Sequence, residues 1–316
     1  MTRPPTREPA RHPTRSATKP TSSPLILAPL TLALLSLAAC ATQQPPPLPV
    51  TRTTHALVIA HRGGALEAPE NTLAAVRHAD ASHADWVEVD LHLSLDGVPV
   101  VIHDPTVDRT TNGSGRVDAL PAATLSSYSA GSPRLAPDVL ARVRAENVLP
   151  PDFADRYASE RLPTLADLLT IPRVRYMLEL KSPASPAARE RLVTAVLDIV
   201  ARHRATDRVA IASFDPTLLD HARRLAPAIP RIGLVDHPTQ FPPMLALDLA
   251  VLATWHGLAR DALALERRPA VWVWTVYSES RARDLEALGV DGLITDAPAA
   301  IRRALTTPAS PSVPGS

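Results

Sequence analysis

From residue 56 onward, short apolar runs alternate with segments of helical period. Eight runs begin at Ala56, Trp86, Tyr176, Val209, Ile232, Leu249, Val271 and Leu293, and a ninth spans Pro99 to His103. Helical patterns lie between most of them, at Asn71–Ala81 (with Thr72 near its start), Ala187–Arg204, Pro216–Leu225 and Glu279–Leu288. Strands alternating with helices predict an α/β fold, a parallel sheet with helices outside. Asp96-Gly97 is a hairpin turn signal. It makes the Pro99 run an antiparallel return arm, not a barrel strand. The remaining eight runs suit a (β/α)8 TIM barrel, and residues 56–305, 250 in all, match its usual size. Residues 104 to about 172 break the rhythm with Thr110-Thr111-Asn112-Gly113-Ser114-Gly115, several prolines and a short helical signal at Leu165–Leu169. They predict a lobe inserted after the second barrel strand, over the barrel mouth. A turn centred on Asp96-Gly97 pairs residues whose numbers sum to about 193, which sets Asp90 opposite His103.

The ends of the chain follow other rules. Arg3, Arg7, Arg11, Arg15 and Lys19 form a basic leader, and an apolar stretch follows from Leu25 to Ala39. That stretch is too short for a typical spanning helix and ends at Leu37-Ala38-Ala39-Cys40. Residues 1–39 therefore read as an export signal. A cysteine at the cut resembles the bacterial lipobox, which implies lipid attachment at Cys40 and a membrane as partner. Ala41 after the cysteine, by resemblance to lipoprotein sorting rules, favours the outer membrane, facing the periplasm. The alternative is an ordinary secretory signal with a chance cysteine. Cys40 is the only cysteine, so no disulfide forms within the chain. Residues 40–55, with Pro45-Pro46-Pro47 and Pro49, predict a semi-rigid tether, and residues 306–316 a disordered tail. Without residues 1–39 the chain has 28 cations against 31 anions, a net charge of −3 with neutral histidines. This balance gives no support for nucleic-acid binding. The oligomeric state is not readable from the sequence.

Chemistry concentrates where strands end. Glu88 and Asp90 are two apart on a predicted strand, so their side chains share a face. Paired carboxylates repel and call for a cation or protons. A divalent ion with oxygen ligands meets that need. Glu179 and Lys181 repeat the spacing on the next barrel strand, which brings Glu179 near the first pair. One such pair alone would read as a solvated strand end; two together, flanked by His61 and His103, read as a metal site. Lysine occurs only at positions 19 and 181, against 31 arginines. Where arginine has replaced lysine so widely, the retained Lys181 suggests a need for a compact, rotatable ammonium on a phosphate or carboxylate. Arg62 follows His61 and can grip a phosphate bidentately, and Gly63-Gly64 would let the backbone approach a ligand. His103 is followed by Asp104, which can orient it. Two histidines converging on one mouth suit acid and base roles at a phosphoryl centre.

The stretches HRGGALEAPENTLAA, VEVDLHLSLDGVPVVIHDPTVDRTTNGSG, LPTLADLL, LELK, IASFDP, VWTVY and VDGLITDAP resemble, in order and spacing, those of the glycerophosphodiester phosphodiesterase family. The resemblance covers most of residues 56–300. It implies a (β/α)8 barrel with an insertion after the His-Asp motif. It also implies Ca2+ or Mg2+ on Glu88, Asp90 and Glu179 with Glu70 as an additional ligand, His61 and His103 as the acid–base pair, and Arg62 and Lys181 on the phosphate. Tyr277 stands where the family commonly has Asn, which affects the acceptor or glycerol contacts of that loop. The implied reaction is metal-dependent hydrolysis of small-molecule glycerophosphodiesters to sn-glycerol 3-phosphate and an alcohol such as choline or ethanolamine. Two other functions fit the same residues: a lysophospholipase D-type phosphodiesterase acting on lysophospholipids, and a non-catalytic lipoprotein that binds a phosphorylated ligand.

Overall fold

The computed structural model describes residues 48–131 and 153–307. The export signal, the first half of the tether with Cys40, part of the inserted lobe and most of the tail lie outside the described residues. Nine strands form one sheet: β1 Leu57–Ala60, β2 Trp86–Leu93, β3 Pro99–Val101, β4 Tyr176–Leu180, β5 Val209–Ser213, β6 Arg231–Val235, β7 Val251–Trp255, β8 Ala270–Val276 and β9 Gly292–Thr295. The order is β1-β9-β8-β7-β6-β5-β4-β2-β3, and a β1–β2 pairing closes the ring. Every barrel pairing is parallel, and β3 alone runs antiparallel, on β2. This is the (β/α)8 barrel with an inserted lobe, and each predicted run supplies one strand.

The helices start where local chemistry sets them. Thr72 caps Leu73–Ala81 by accepting from Ala75 N, and Asp215 caps Pro216–Leu225, whose proline sits at the first turn. Glu279–Leu288 starts at a Ser278 cap and stops at Gly289, which takes φ 103°. The apolar stripes of these helices pack on the outer faces of the strands, through Val76, Leu218, Leu219 and Leu285 among others.

The barrel interior is a separate cluster that includes Ile59, Trp86, Met177, Ile232, Val251, Trp272 and Ile294. Trp86 and Trp272 meet edge to face at 5.6 Å between ring centroids, near the N-terminal ends of the strands. Gly292 makes room for this floor, because a Cβ there would lie 2.6 Å from the Trp272 ring. Both indoles donate to the incoming chain, Trp86 Nε1 to Pro49 O at 2.9 Å and Trp272 Nε1 to Val50 O at 2.8 Å. The last part of the predicted tether is thus docked: Leu48 and Val50 pack on the barrel interior and close its floor.

Two sequence expectations are corrected. The β2–β3 register pairs Leu91 with Val101 and Leu93 with Pro99, so facing numbers sum to 192. Asp90 therefore lies opposite Ile102, whose N–H donates to Asp90 O at 3.0 Å, and not opposite His103. The loop holds three residues, 95–97, between paired Ser94 and Val98, one more than a two-residue turn, and Gly97 at φ 79° closes it, so the pairing shifts by one. The second correction concerns Leu165–Leu169, assigned above to the lobe. Leu165, Leu168 and Leu169 are buried in the main core, and Tyr176 of β4 donates its hydroxyl to Leu168 O at 2.7 Å. The helix belongs to the outer layer of the barrel. The described part of the lobe has its own small core of Val100, Ile102, Val107, Val117, Leu125 and Leu162.

Candidate active site

The C-terminal ends of the strands open into a cavity of about 330 Å³ lined by His61, Arg62, Glu88, His103, Glu179, Lys181 and Asp296 on its polar side. Loops beyond strand ends build the sites of this architecture, so its position here follows from the fold. Met177, Phe214, Leu234, Trp274, Thr275, Tyr277 and Ile294 supply the rest of the wall. Phe214 and Trp274 meet edge to face at 5.7 Å.

Glu88 and Asp90 project from β2, and Asp90 is the register partner of Glu179 on β4. One carboxylate oxygen from each of Glu88, Asp90 and Glu179 lies within 4.8 Å of the others, and all three residues are buried. Lys181 Nζ lies 2.8 Å from Asp90 Oδ1 and also hydrogen-bonds Glu179. Glu88 Oε2 accepts from the backbone N–H of Arg62 at 2.7 Å, whereas Glu88 Oε1 is buried with no hydrogen-bond partner among the described residues. Burial and the adjacent Asp90 charge push the Glu88 carboxyl up to about 8. Burial opposes ionisation of Asp90 too, but Lys181, His103 and Arg62 outweigh it and hold Asp90 well below the usual range. Three converging carboxylates, one with an oxygen that no donor satisfies, fit a hard divalent cation.

His61 caps β1, and its Nδ1 lies 2.7 Å from Oδ1 of buried Asp296, which follows β9. Burial lowers the His61 pKa, yet the Asp296 carboxylate and its hydrogen bond bring the net shift upward. Nε2, the other ring nitrogen, lies 4.0 Å from Glu88 Oε2. His103 Nδ1 lies 2.7 Å from Asp104 Oδ1, and a third of the His103 side chain (34%) is exposed at the rim. Both histidines are therefore held through Nδ1 by a carboxylate. Arg62 takes a left-handed conformation, φ 52°, which aims its N–H at Glu88. For a non-glycine residue this costs roughly 1–2 kcal/mol. Outliers of this kind cluster at functional sites.

Gly63 and Gly64 differ from their expected use in ligand approach. Gly63, at φ 83°, has no room for a Cβ, which would lie 2.6 Å from Ala75 Cβ, and at Gly64 a Cβ would lie 2.9 Å from the Pro298 ring. They let this turn pack on its neighbours. Glu70 lies outside the acidic cluster. Arg62 Nη1 donates to it at 3.0 Å, and Arg109 Nη1 and Nη2 donate at 2.7 and 2.8 Å. Asn71, at φ 59°, donates from Nδ2 to Asp90 Oδ2 at 2.8 Å.

A model of the glycerophosphoryl diester phosphodiesterase family matches residues 61–300. The chain belongs to this family. It is 31% identical over 267 residues to a glycerophosphodiester phosphodiesterase of Caldanaerobacter subterraneus subsp. tengcongensis, covering 77% of this chain and 94% of that one. A glycerophosphodiester phosphodiesterase of Bacillus subtilis is 28% identical over 257 residues, covering 77% and 84% of the two chains. Among solved structures, a phosphodiesterase of Oleispira antarctica in complex with the product sn-glycerol-3-phosphate superposes with a TM-score of 0.69 at 29% identity, over 80% of this chain and 98% of that one. The enzyme class is that of the family, phosphoric diester hydrolysis of glycerophosphodiesters.

Within this phosphodiesterase fold, the expected residues His61, Arg62, Glu88, Asp90, His103, Glu179 and Lys181 meet at one mouth, although 120 positions separate the first from the last. Asp296 and Arg109 escaped the sequence reading. Asp296 did leave a signal, an acid just after the last barrel strand, where this architecture carries its functional groups. The apolar wall was not singled out: Phe214 and Trp274 lie inside the stretches IASFDP and VWTVY, but nothing in their type or spacing marks them as lining, and Leu234 looks like an ordinary strand residue.

Proposed function

We propose that the protein releases sn-glycerol 3-phosphate and a free alcohol from water-soluble glycerophosphodiesters, with His61 and His103 as the proton-transfer pair. The observation that carries this reading is that both imidazoles and the carboxylates of Glu88 and Glu179 line one cavity, with Arg62 and Lys181 beside them. One histidine takes the proton of the substrate's own 2-hydroxyl, and that oxygen attacks phosphorus. The other histidine gives a proton to the departing alcohol. Water then opens the cyclic phosphate, with the proton roles reversed. Asp296 and Asp104 hold Nδ1 of each ring, which leaves the Nε2 atoms for transfer. Arg62 and Lys181 face the phosphoryl oxygens. Glu88, Asp90 and Glu179 would hold Ca2+ or Mg2+, which when bound supplies fixed positive charge to offset charge developing on those oxygens.

Export and a lipid anchor at Cys40, at the outer membrane facing the periplasm, are part of the same proposal. The described chain begins at the barrel floor, with Leu48–Val50 packed against Trp86 and Trp272, on the end opposite the mouth. For an enzyme held upstream of Leu48, this favours a substrate arriving from solution over a lysophospholipid in the anchoring bilayer. The test is glycerol 3-phosphate release from glycerophosphocholine, after EDTA treatment and with Ca2+ or Mg2+ restored, beside lysophosphatidylcholine. Release that EDTA abolishes and the metal restores is expected, with little turnover of the lysophospholipid. Metal-dependent binding without product would turn the reading to a non-catalytic binding protein, and faster turnover of lysophosphatidylcholine would turn it to a lysophospholipase D.

A further inference from the structure

Among the described residues, Arg109 of the inserted lobe reaches the acids beside the mouth. Arg109 spans two carboxylates that belong to different parts of the site. Its Nε and Nη2 donate to Asp104 at 2.6 and 3.1 Å, and its Nη1 and Nη2 donate to Glu70 at 2.7 and 2.8 Å. Asp104 in turn lies 2.7 Å from His103 Nδ1, and Glu70 accepts from Arg62 Nη1 at 3.0 Å. A continuous path of charge-assisted hydrogen bonds thus runs His103–Asp104–Arg109–Glu70–Arg62. Its ends are the rim imidazole and the guanidinium assigned to the phosphate.

The geometry needs an arginine. Asp104 is the residue after His103 in a loop, and 26% of its side chain is exposed, so neighbours must fix its rotamer if the imidazole is to be aimed. Glu70 is almost fully buried, with 5% of its side chain exposed, and depends on cations to stay ionised. Burial raises the Glu70 pKa, but the bonds from Arg109 and the charge of Arg62 bring it below the usual carboxylate range. A planar guanidinium with five donors can hold two carboxylates at a fixed mutual angle. An ammonium has one nitrogen and no plane, and cannot impose that angle.

We propose that Arg109 is a positioning residue, which orients His103 through Asp104 and Arg62 through Glu70 without touching the substrate. This rests on the roles given to His103 and Arg62 above. It makes the lobe part of the catalytic apparatus: the barrel supplies the reactive groups, and the lobe sets the angle of two of them.

The test uses the purified full chain and glycerophosphocholine. Arg109→Met, Arg109→Lys, Asp104→Asn, the Arg109→Met/Asp104→Asn double variant and His103→Ala are compared for kcat, KM and melting temperature. Loss of an orienting partner of this kind costs about 10- to 100-fold. Arg109→Met is expected to lower kcat by that factor and to raise KM. Arg109→Lys, which keeps the charge, is expected to recover less than half of the loss on a logarithmic scale. Because Arg109 acts on His103 through Asp104, adding Arg109→Met to Asp104→Asn should lower kcat by less than about threefold more, the non-additivity of residues in one network. A purely structural arginine would lower the melting temperature, leave kcat per folded molecule unchanged and give effects that multiply in full. Any of these three outcomes overturns the proposal: Arg109→Met with wild-type kcat, Arg109→Lys with wild-type kcat, or full multiplication in the double variant. Should Arg109→Met not fold, Arg109→Lys decides by the same kcat criterion. Full turnover by His103→Ala would sink the assignment of His103 itself; an inactive His103→Ala beside an unaffected Arg109→Lys sinks only the role of Arg109.

Discussion

Replacing Asp296 by Asn tests how the buried carboxylate serves His61. The change keeps the shape of a residue that is essentially unexposed, and it removes the charge 2.7 Å from Nδ1. At that distance two unit charges attract by about 6 kcal/mol with an effective dielectric near 20. The amide retains a neutral hydrogen bond and the site relaxes, so roughly half to four fifths of that attraction is lost once an imidazolium forms. A loss of about 3–5 kcal/mol in transition-state stabilisation corresponds to about 10²- to 10⁴-fold in rate. The amide also presents a donor to Nδ1 as readily as an acceptor, which favours the wrong tautomer. The assay is glycerol 3-phosphate release at saturating metal, with the melting temperature and calorimetric metal affinity measured on the same preparation. The expected result is kcat reduced by two to four decades, with folding and metal binding retained. His61 is raised by Asp296, so the limb of the pH–rate profile that reports His61 should move to lower pH in the variant. A variant within about threefold of wild type would refute the view that Asp296 holds His61 for proton transfer.

Three further outcomes are expected. Glu88→Gln should weaken divalent-ion binding by more than about 100-fold, and Glu70→Gln by less than about tenfold, because Glu70 is bound by arginines outside the acidic cluster. Calorimetry with equal losses for both would put Glu70 among the ligands. Metal affinity should fall about tenfold per unit as pH drops below about 8, because burial and Asp90 raise Glu88 and its proton must leave when a cation binds. An affinity flat between pH 6 and 8 would exclude Glu88 as the competing group. Gly63→Ala should cost about 2–4 kcal/mol by thermal or urea unfolding, since its Cβ would meet Ala75 Cβ at 2.6 Å on a backbone at φ 83°; a cost near zero would mean that the turn can shift away from its helix.

The barrel was legible because its signals are local. Periodicity marks the strands at Trp86 and Tyr176 and the helices Pro216–Leu225 and Glu279–Leu288, and turn chemistry marks Asp96-Gly97. Pairing register was less so: the hairpin sits one residue from the expected pairing, because Gly97 at φ 79° closes a three-residue loop between Ser94 and Val98 where a two-residue turn was expected. Leu165–Leu169 shows a similar limit. Its period is visible, but only packing shows that it covers the barrel and not the lobe.

At the site, residue types and two-residue spacing on a strand were enough to pick out Glu88, Asp90, Glu179, Lys181 and the histidines, because strand geometry converts spacing directly into a shared face. What surrounds those groups is another matter. Asp296 reaches His61 across 235 positions, Arg109 reaches Glu70 across 39, and the floor joins Val50 to Trp272 across 222. Side-chain period carries no information about which distant segments meet. Closure of the ring brings β9 beside β1, and the fold of the segment after β3 sets Arg109 between its two acids. Reactive groups follow from the order of residues along single strands, whereas their orientation and protonation depend on neighbours that only the closed barrel brings into contact.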